Sequence, residues 1–359
     1  MAKIRGVFDE HLREVLPPAF RAQAAIAAKW GAPTTAAVIE GLATEVAIPG
    51  GALDAVLRDW TDTDPSSALS LRLAGAIHRL VLDGKAPALA AIFPSAGGTA
   101  DPPRAWPLAK TAILAHTDFI RAYLARPPQT NEVARSAMLL GGFLEIATAT
   151  GLPLRLFEIG ASAGLNLCWD RYRIETSQFA WGPAESELTL KCRWEGPLPA
   201  LPARADVIAR AGCDRDPIDL RNEDDLRRLE SYFWTDQTHR FDRLRRARAI
   251  ALQEGIHVAA EDAMAWLPRQ LADPHPGATT VIYHSLFWQY LPPSVQTRLR
   301  LYIEAAGFKA KSEAPVAWLA MEMPDMKSPT ELTLTLWPGG QKRVLATVHP
   351  HGEVVHWKT

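Results

Sequence analysis

Through the first 150 residues apolar positions recur at three- and four-residue spacings, and strand-like alternation is scarce. Residues 70–81, Ser-Leu-Arg-Leu-Ala-Gly-Ala-Ile-His-Arg-Leu-Val, put an apolar stripe on one helix face, and Asp83-Gly84 ends it. A loop broken by Pro94, Gly97, Gly98, Pro102 and Pro103 follows. Further helices are predicted over 108–124, stopped by Pro127-Pro128, and over 131–148. From residue 152 the texture changes, and short apolar runs alternate with helical stretches. Strands are predicted over 154–159, 207–214, 256–260, 279–284 and 315–322, and three more over 331–337, 342–349 and 353–357. Between them lie a long amphipathic helix carrying Leu226, Leu229, Phe233, Leu244 and Ala251, and a second over 294–306. A Trp- and Pro-rich insertion over 176–204 interrupts the alternation and contains an extended pair near 188–194. The expected architecture is an all-helical N-terminal domain over 1–150, capping and shaping substrate access, and an α/β domain over 151–359 with a mostly parallel sheet.

Composition narrows the function classes. The net charge of the 359 residues is −1, and residues 1–150 carry 14 basic and 14 acidic residues against 25 and 26 in the remainder. Without a basic stripe or tail, no nucleic-acid partner is expected. The run Arg240-Phe-Asp-Arg243-Leu-Arg245-Arg246-Ala-Arg248 reads as the solvent face of the long helix. No apolar run is long enough to span a bilayer, so no membrane partner is expected. Cys168, Cys192 and Cys213 are widely spaced and form no disulfide framework, which suits a reducing compartment. Charges in the first ten residues replace the apolar core of a secretion signal, and the cytoplasm is the expected location.

The strongest local pattern is a buried strand, a turn of small residues and a helix start, Leu154-Arg-Leu-Phe-Glu158-Ile-Gly160-Ala161-Ser162-Ala-Gly164-Leu-Asn166. Glu158-x-Gly160-x-Ser162-x-Gly164 resembles the first motif of adenosylmethionine-dependent methyltransferases. There, small residues let the backbone approach the cofactor and the carboxylate receives its amino group. Gly160-x-Ser162-x-Gly164 alone is also the nucleophile-elbow pattern of serine hydrolases, with Ser162 as nucleophile, and equally an ordinary capped turn. The hydrolase pattern wants several strands and an oxyanion loop upstream, where this chain reads as helical.

Companion groups follow along the chain. A carboxylate at the end of the second strand would bind ribose hydroxyls; Glu175 lies nearer the usual spacing, and Asp214 has the better strand-end context. Glu261-Asp262-Ala263 opens a helix where an adenine amino group would be held, and Asp there is also a good cap. Tyr283-His284-Ser285-Leu-Phe-Trp-Gln289-Tyr290 ends a central strand, where polar groups face the crevice. His284 is a candidate base and also a candidate structural histidine packed among aromatics. Gln129-Thr-Asn131-Glu132-Val-Ala-Arg135 gathers polar groups ahead of the last helix before the glycine turn, either over the crevice or as a cap with a surface ion pair. His349, His351 and His356 lack a supporting cysteine or second carboxylate, and no metal is expected.

Together these stretches resemble a bacterial family catalogued as a domain of unknown function. The resemblance runs through Arg72–Leu80, Gln129–Arg135, Glu158–Leu167, Asp170-Arg-Tyr172, Gly212-Cys-Asp214-Arg-Asp-Pro217-Ile-Asp219, Glu261–Ala263 and His284–Tyr290. It implies a Rossmann-like methyltransferase sheet, mostly parallel and seven-stranded, behind a helical N-terminal region. Cofactor contacts are implied for Glu158, Gly160, Gly164, Asp214 and Asp262; Ala161, Ser162, Asn166 and Ala263 line the same turn and helix start. His284, Glu132 and Tyr290 are the catalytic candidates, and Gln129, Asn131, Arg135, Ser285 and Gln289 the substrate-binding ones. The expected activity is adenosylmethionine-dependent methylation of a small molecule, with a fold-retaining binding protein and a serine hydrolase as alternatives.

Overall fold

The structure, a computed structural model, describes residues 9–64, 67–201, 205–325 and 328–358. The charged N-terminal stretch through residue 8 and residues 202–204 of the insertion lie outside the described residues. The chain divides into two compact units. One runs through Thr130 and includes Glu223–Asp242; the other comprises Asn131–Asn222 and Arg243–Thr359.

The first unit is helical among its described residues. Its elements as far as Thr130 include α1 (Leu12–Lys29), α2 (Pro33–Val46), α3 (Ala52–Leu57), α4 (Leu69–Leu82), α5 (Pro87–Ala90), α6 (Pro102–Ala115) and α7 (Thr117–Tyr123). The predicted helix over 70–81 is α4, and Leu73, Ala76, Ile77 and Leu80 of its stripe are fully buried in the core shared with α1, α2, α3 and α6. The helix predicted over 108–124 is divided at His116, whose φ of −132° leaves the helical region.

In the second unit α8 (Arg135–Thr150) precedes β1 (Leu154–Ile159). A short 3₁₀ helix, Leu165–Arg171, then leads to β2 (Arg173–Thr176), β3 (Ala180–Trp181), β4 (Thr189–Glu195) and β5 (Val207–Asp214). The long helix expected after β5 is two helices, α9 (Glu223–Ser231), which belongs to the first unit, and α10 (Thr238–Gln253), which belongs to the first unit as far as Asp242. The chain continues through β6 (Val258–Ala260), α11 (Ala263–Gln270), β7 (Thr279–Ser285), α12 (Pro293–Phe308) and β8 (Val316–Glu322). It ends in β9 (Thr330–Trp337), β10 (Lys342–Val348) and β11 (Val354–Trp357).

These strands form one sheet in the order β3-β2-β4-β11-β10-β9-β8-β7-β1-β5-β6. Six of its ten pairings are parallel, so the α/β class with a mostly parallel sheet is found. The sheet has eleven strands, however, not seven. β2 ends where the insertion begins, the insertion supplies β3 and β4, and β4 pairs in parallel with β11, so four strands extend one edge.

The expected boundary near residue 150 is also corrected, because α8 belongs with the sheet. Phe143 stacks on Trp169 at 4.3 Å and meets Tyr283 edge-on at 5.2 Å. Gly141 and Gly142 leave room for Trp357 and Leu319, whose side chains stand where a Cβ would lie. The other face of the sheet is covered by α11 and α12 through Phe157, Ile159, Ile282, Trp266, Leu299 and Ile303. No helix among the described residues is long and apolar enough to cross a membrane.

Candidate functional site

At β1 the order of strands reverses. The chain leaves β1 for β5 and β6 on one side, then returns to β7 and β8 on the other. In open α/β sheets the crevice outside the carboxyl ends at such a point is where ligands bind. Glu158 lies there, opposite Gly212 of β5 and Tyr283 of β7. Its residue is 2 % exposed, and Tyr283 Oη–H donates to its Oε2 at 3.2 Å. Burial pushes the carboxyl up to about 8; the Tyr283 bond and the Arg135 charge pull it back, and the Asp214 charge raises it further. Near neutral pH this side chain is mostly an uncharged acid.

The glycine turn is stitched to the protein from three directions. Gly160 and Gly164 have φ of 68° and 73°, and Ser162 between them also takes a positive φ, 54°. Asp214, the last residue of β5, accepts Ser162 N–H on Oδ2 and Asp216 N–H on Oδ1, each at 3.0 Å. Ala161 N–H donates to Cys213 O, Gly164 N–H to Ala161 O, and Leu165 N–H to Asn131 Oδ1 at 2.9 Å. A Cβ at Gly160 would stand 2.1 Å from the Phe287 ring, so that ring alone requires a glycine there. Ser162 Oγ is buried without a hydrogen-bond partner, at a cost of about 1–3 kcal/mol.

The polar cluster ahead of α8 is brought to this turn in part. Beside the Asn131 bond, Ser136 Oγ donates to Asn166 Oδ1 at 2.7 Å. Arg135 donates from Nη1 to Ser285 O and from Nε to Pro350 O. Glu132 accepts from Arg243 at 2.9 Å and faces His351 at 3.6 Å, so as a base it is already committed to the Arg243 guanidinium. Gln129 belongs to the first unit, where it accepts from Arg228, and is not among the site groups of the second.

His284 is the main correction. Trp318 Nε1–H donates to its Nε2 at 3.0 Å, which places the proton on Nδ1, donated to Glu322 Oε1 at 2.6 Å. The ring is 1 % exposed and stacks on Trp288 at 5.0 Å. Both nitrogens are used by the protein, so the geometry makes His284 a structural residue, not a base facing the crevice. Tyr290 is 64 % exposed on the 3₁₀ turn Trp288–Tyr290, away from the buried groups. Ser285 is buried at the end of β7, and Gln289 keeps a buried Oε1 without a partner.

Asp262 caps α11 through Met264 N–H at 2.8 Å, with Ala263 buried behind it. Glu175 is on β2, with six strands between it and β1, which removes it from the crevice and leaves Asp214 at the strand-end position. The hydrolase geometry is not met, since Ser162 Oγ has no partner and His284 is engaged elsewhere. In the Arg-rich run Arg245 and Arg246 are exposed, and in the second unit Arg246 donates to Glu187 O and Arg248 to Leu220 O. Of the terminal histidines, the rings of His349 and His351 lie 6.0 Å apart while His356 pairs with Glu195 at 2.7 Å, and among the described residues no group of three His, Cys, Asp or Glu is placed to hold a metal.

Sequence reasoning missed Glu322, the last residue of β8, although a carboxylate closing a buried strand is the signal that found Glu158 and Asp214. It also missed Tyr283 as the partner of Glu158. With Asp262, the carboxyl ends of β1, β5, β6 and β8 each present an acid, a rim suited to hydroxyls and cations. Four of the turn N–H groups that could cradle a phosphate, those of Ser162, Ala161, Gly164 and Leu165, are taken by Asp214, Cys213, Ala161 and Asn131.

No curated protein and no solved structure matches this chain. Residues 18–357 match a family described as an uncharacterized protein conserved in bacteria, DUF2332, and the chain belongs to that family.

Proposed function

We propose that the second unit is an adenosylmethionine-dependent methyltransferase domain acting on a small molecule. The observation that carries this reading is the buried Glu158 at the reversal point of the sheet, its carboxyl raised by burial, beside a turn four of whose N–H donors already have protein acceptors. Phosphate-bearing nucleotides need those donors; adenosylmethionine carries a cationic amino group, a ribose and an adenine, and no phosphate. Seven adjacent strands, β6-β5-β1-β7-β8-β9-β10, support the reading further, because only β9 runs against the others.

The residues present fit the group. Glu158 would meet its amino group, Asp214 its ribose hydroxyls and Asp262 its adenine edge, while buried Ser162 Oγ has hydrogen-bonding capacity left. Bound there, the cofactor supplies a methyl group on a positively charged sulfur. The chain supplies orientation: the Asp214 and Asn131 bonds hold the turn, and Arg135 holds the end of β7 beside it. Such positioning of two reactants contributes about 7–11 kcal/mol in favourable cases.

That Glu132 and His284 are both committed to protein partners favours a second reading, a binding protein with the same ligand and no turnover. Calorimetry with adenosylmethionine and adenosylhomocysteine, with NAD and ATP as controls, tests the first claim. Absence of binding by either sulfur compound sinks it, and transfer of labelled methyl to a metabolite extract separates the two readings.

A further inference from the structure

The end of β8 and the loop that follows β7 each carry a buried acceptor oxygen that receives no hydrogen bond. Glu322 Oε1 is saturated, taking His284 Nδ1–H at 2.6 Å, Phe287 N–H at 2.9 Å and Trp288 N–H at 3.2 Å. Glu322 Oε2 is buried and receives nothing, and Gln289 Oε1, one residue beyond Trp288, is in the same condition. Among the described residues the only basic side chain within 4 Å of Glu322 is the His284 ring, whose two nitrogens have one proton between them. Buried polar atoms left unmet in an otherwise well-bonded loop ask for an explanation, and a ligand bearing N–H groups is one.

The walls of this corner are aromatic. Trp288 and Trp318 lie 5.5 Å apart, and the guanidinium of Arg300 sits 6.0 and 5.8 Å from their centroids, so these rings already accommodate a cation. Phe287 reaches from the corner to the glycine turn, where its ring lies against Gly160. The corner and the turn are thus joined by one side chain.

We propose that Glu322 and Gln289, walled by Phe287 and Trp288, form a subsite for a small amine, the methyl acceptor of the reaction proposed above. The inference rests on that reading for the word acceptor, and on the unmet oxygens for the word amine. The amine arrives as an ammonium ion and sheds one proton to solvent. Its lone pair then forms the new N–C bond as the S–C pair stays on sulfur, while a remaining N–H holds Glu322 Oε2. No protein base is consumed, in keeping with the engagement of His284 and Glu132.

The test is calorimetry on the full chain with benzylamine, benzyl alcohol and benzoate, each with and without adenosylhomocysteine. Benzylamine is expected to bind at least about tenfold more tightly than the alcohol, because its N–H donors meet a charged acceptor, and benzoate not at all. Glu322→Gln should remove that preference while adenosylhomocysteine binding stays within about threefold. Gln289→Leu, which leaves the three bonds to Glu322 Oε1 in place, should weaken the amine severalfold and covers the case in which the first variant does not fold. Equal affinity for amine and alcohol, or an unchanged preference in both variants, overturns the amine subsite. Failure of adenosylhomocysteine to bind overturns the methyltransferase reading instead, and the arm without it still reads the amine preference.

Discussion

Replacing Glu158 by Gln separates the charge of this site from its shape. Gln keeps an oxygen to accept the Tyr283 hydroxyl and cannot ionise. In the native chain burial lifts the carboxyl from its ordinary 4.5 to about 8. The folded state therefore holds a proton that the unfolded chain releases across that interval. The group's contribution to stability is fully present below pH 4.5 and is lost as pH rises through 8, by about 5 kcal/mol in all. Urea unfolding of the native chain and Glu158→Gln at pH 5, 7 and 9 reads this as a difference that subtracts every other titration. The native chain should lose about 4 kcal/mol relative to the variant between pH 5 and pH 9. The same proton reports on ligand binding. At pH 7 most of these carboxyls are protonated, so a cationic amino group that draws out the carboxylate should release most of one proton per adenosylhomocysteine bound. Calorimetry in phosphate and Tris buffers counts that proton, and the variant should release none. Stability curves of the two proteins parallel to within about 1 kcal/mol would refute the buried neutral acid. Ligand binding without proton release would refute its role toward the amino group.

Other perturbations test the surroundings. Gly160→Ala forces a Cβ at φ 68° into the Phe287 ring and should cost about 2–4 kcal/mol by thermal unfolding; adding Phe287→Ala should return the packing part and leave the backbone part. Asn131→Ala leaves Leu165 N–H without its acceptor and should cost about 1–2 kcal/mol, with weaker adenosylhomocysteine binding from a looser turn. Asp170→Asn strips the bidentate partner from largely buried Arg210 and should cost about 3 kcal/mol, Glu254 at 3.7 Å offsetting some of the loss. In the first unit burial holds His78 neutral, its pKa lowered to about 4. The stability it contributes is lost as pH falls from about 6.5 to 4, by about 3 kcal/mol, and hydrogen exchange of α4 in His78→Gln should lack that acid step.

The sequence was legible where structure is local. β1 is legible to the residue, because Pro153 and Gly160 bracket a short run rich in Leu, Phe and Ile. The break between α9 and α10 was not, because the apolar spacing continues through Phe233. The helix stops there for remote reasons: Asp236 accepts Thr34 and Thr35 N–H at 3.0 Å, Ser231 O meets His78, and Thr235 O accepts Ser95 N–H. The pairing of β4 with β11 joins residues about 160 positions apart, and nothing in either strand names its partner. One signal was present and passed over. Residues 136–144 of α8 are buried on every side, the pattern of a helix enclosed in a core, which argued for placing it with the sheet.

The site was legible as a set of residue types and less so as chemistry. His284 drew attention because histidine titrates near neutrality, yet a ring is a base only if a nitrogen is spare. Both of its nitrogens are taken from β8, by Trp318 and Glu322, 34 and 38 residues further on. Glu322 drew none, being an ordinary acid before Met323-Pro324. Pairing reverses their importance. Glu322 spends one oxygen fixing His284 and the loop behind it and keeps the other buried and unmet. Glu158 likewise stands out by environment, since the surroundings that keep it uncharged are the ones a cationic ligand would overturn. Capacity to bind is whatever hydrogen-bonding valence and charge remain after the fold has taken its share. The fold takes that share through strand neighbours far apart in the chain, so the spectator histidine and the available glutamate could be told apart only once β7 and β8 lay side by side.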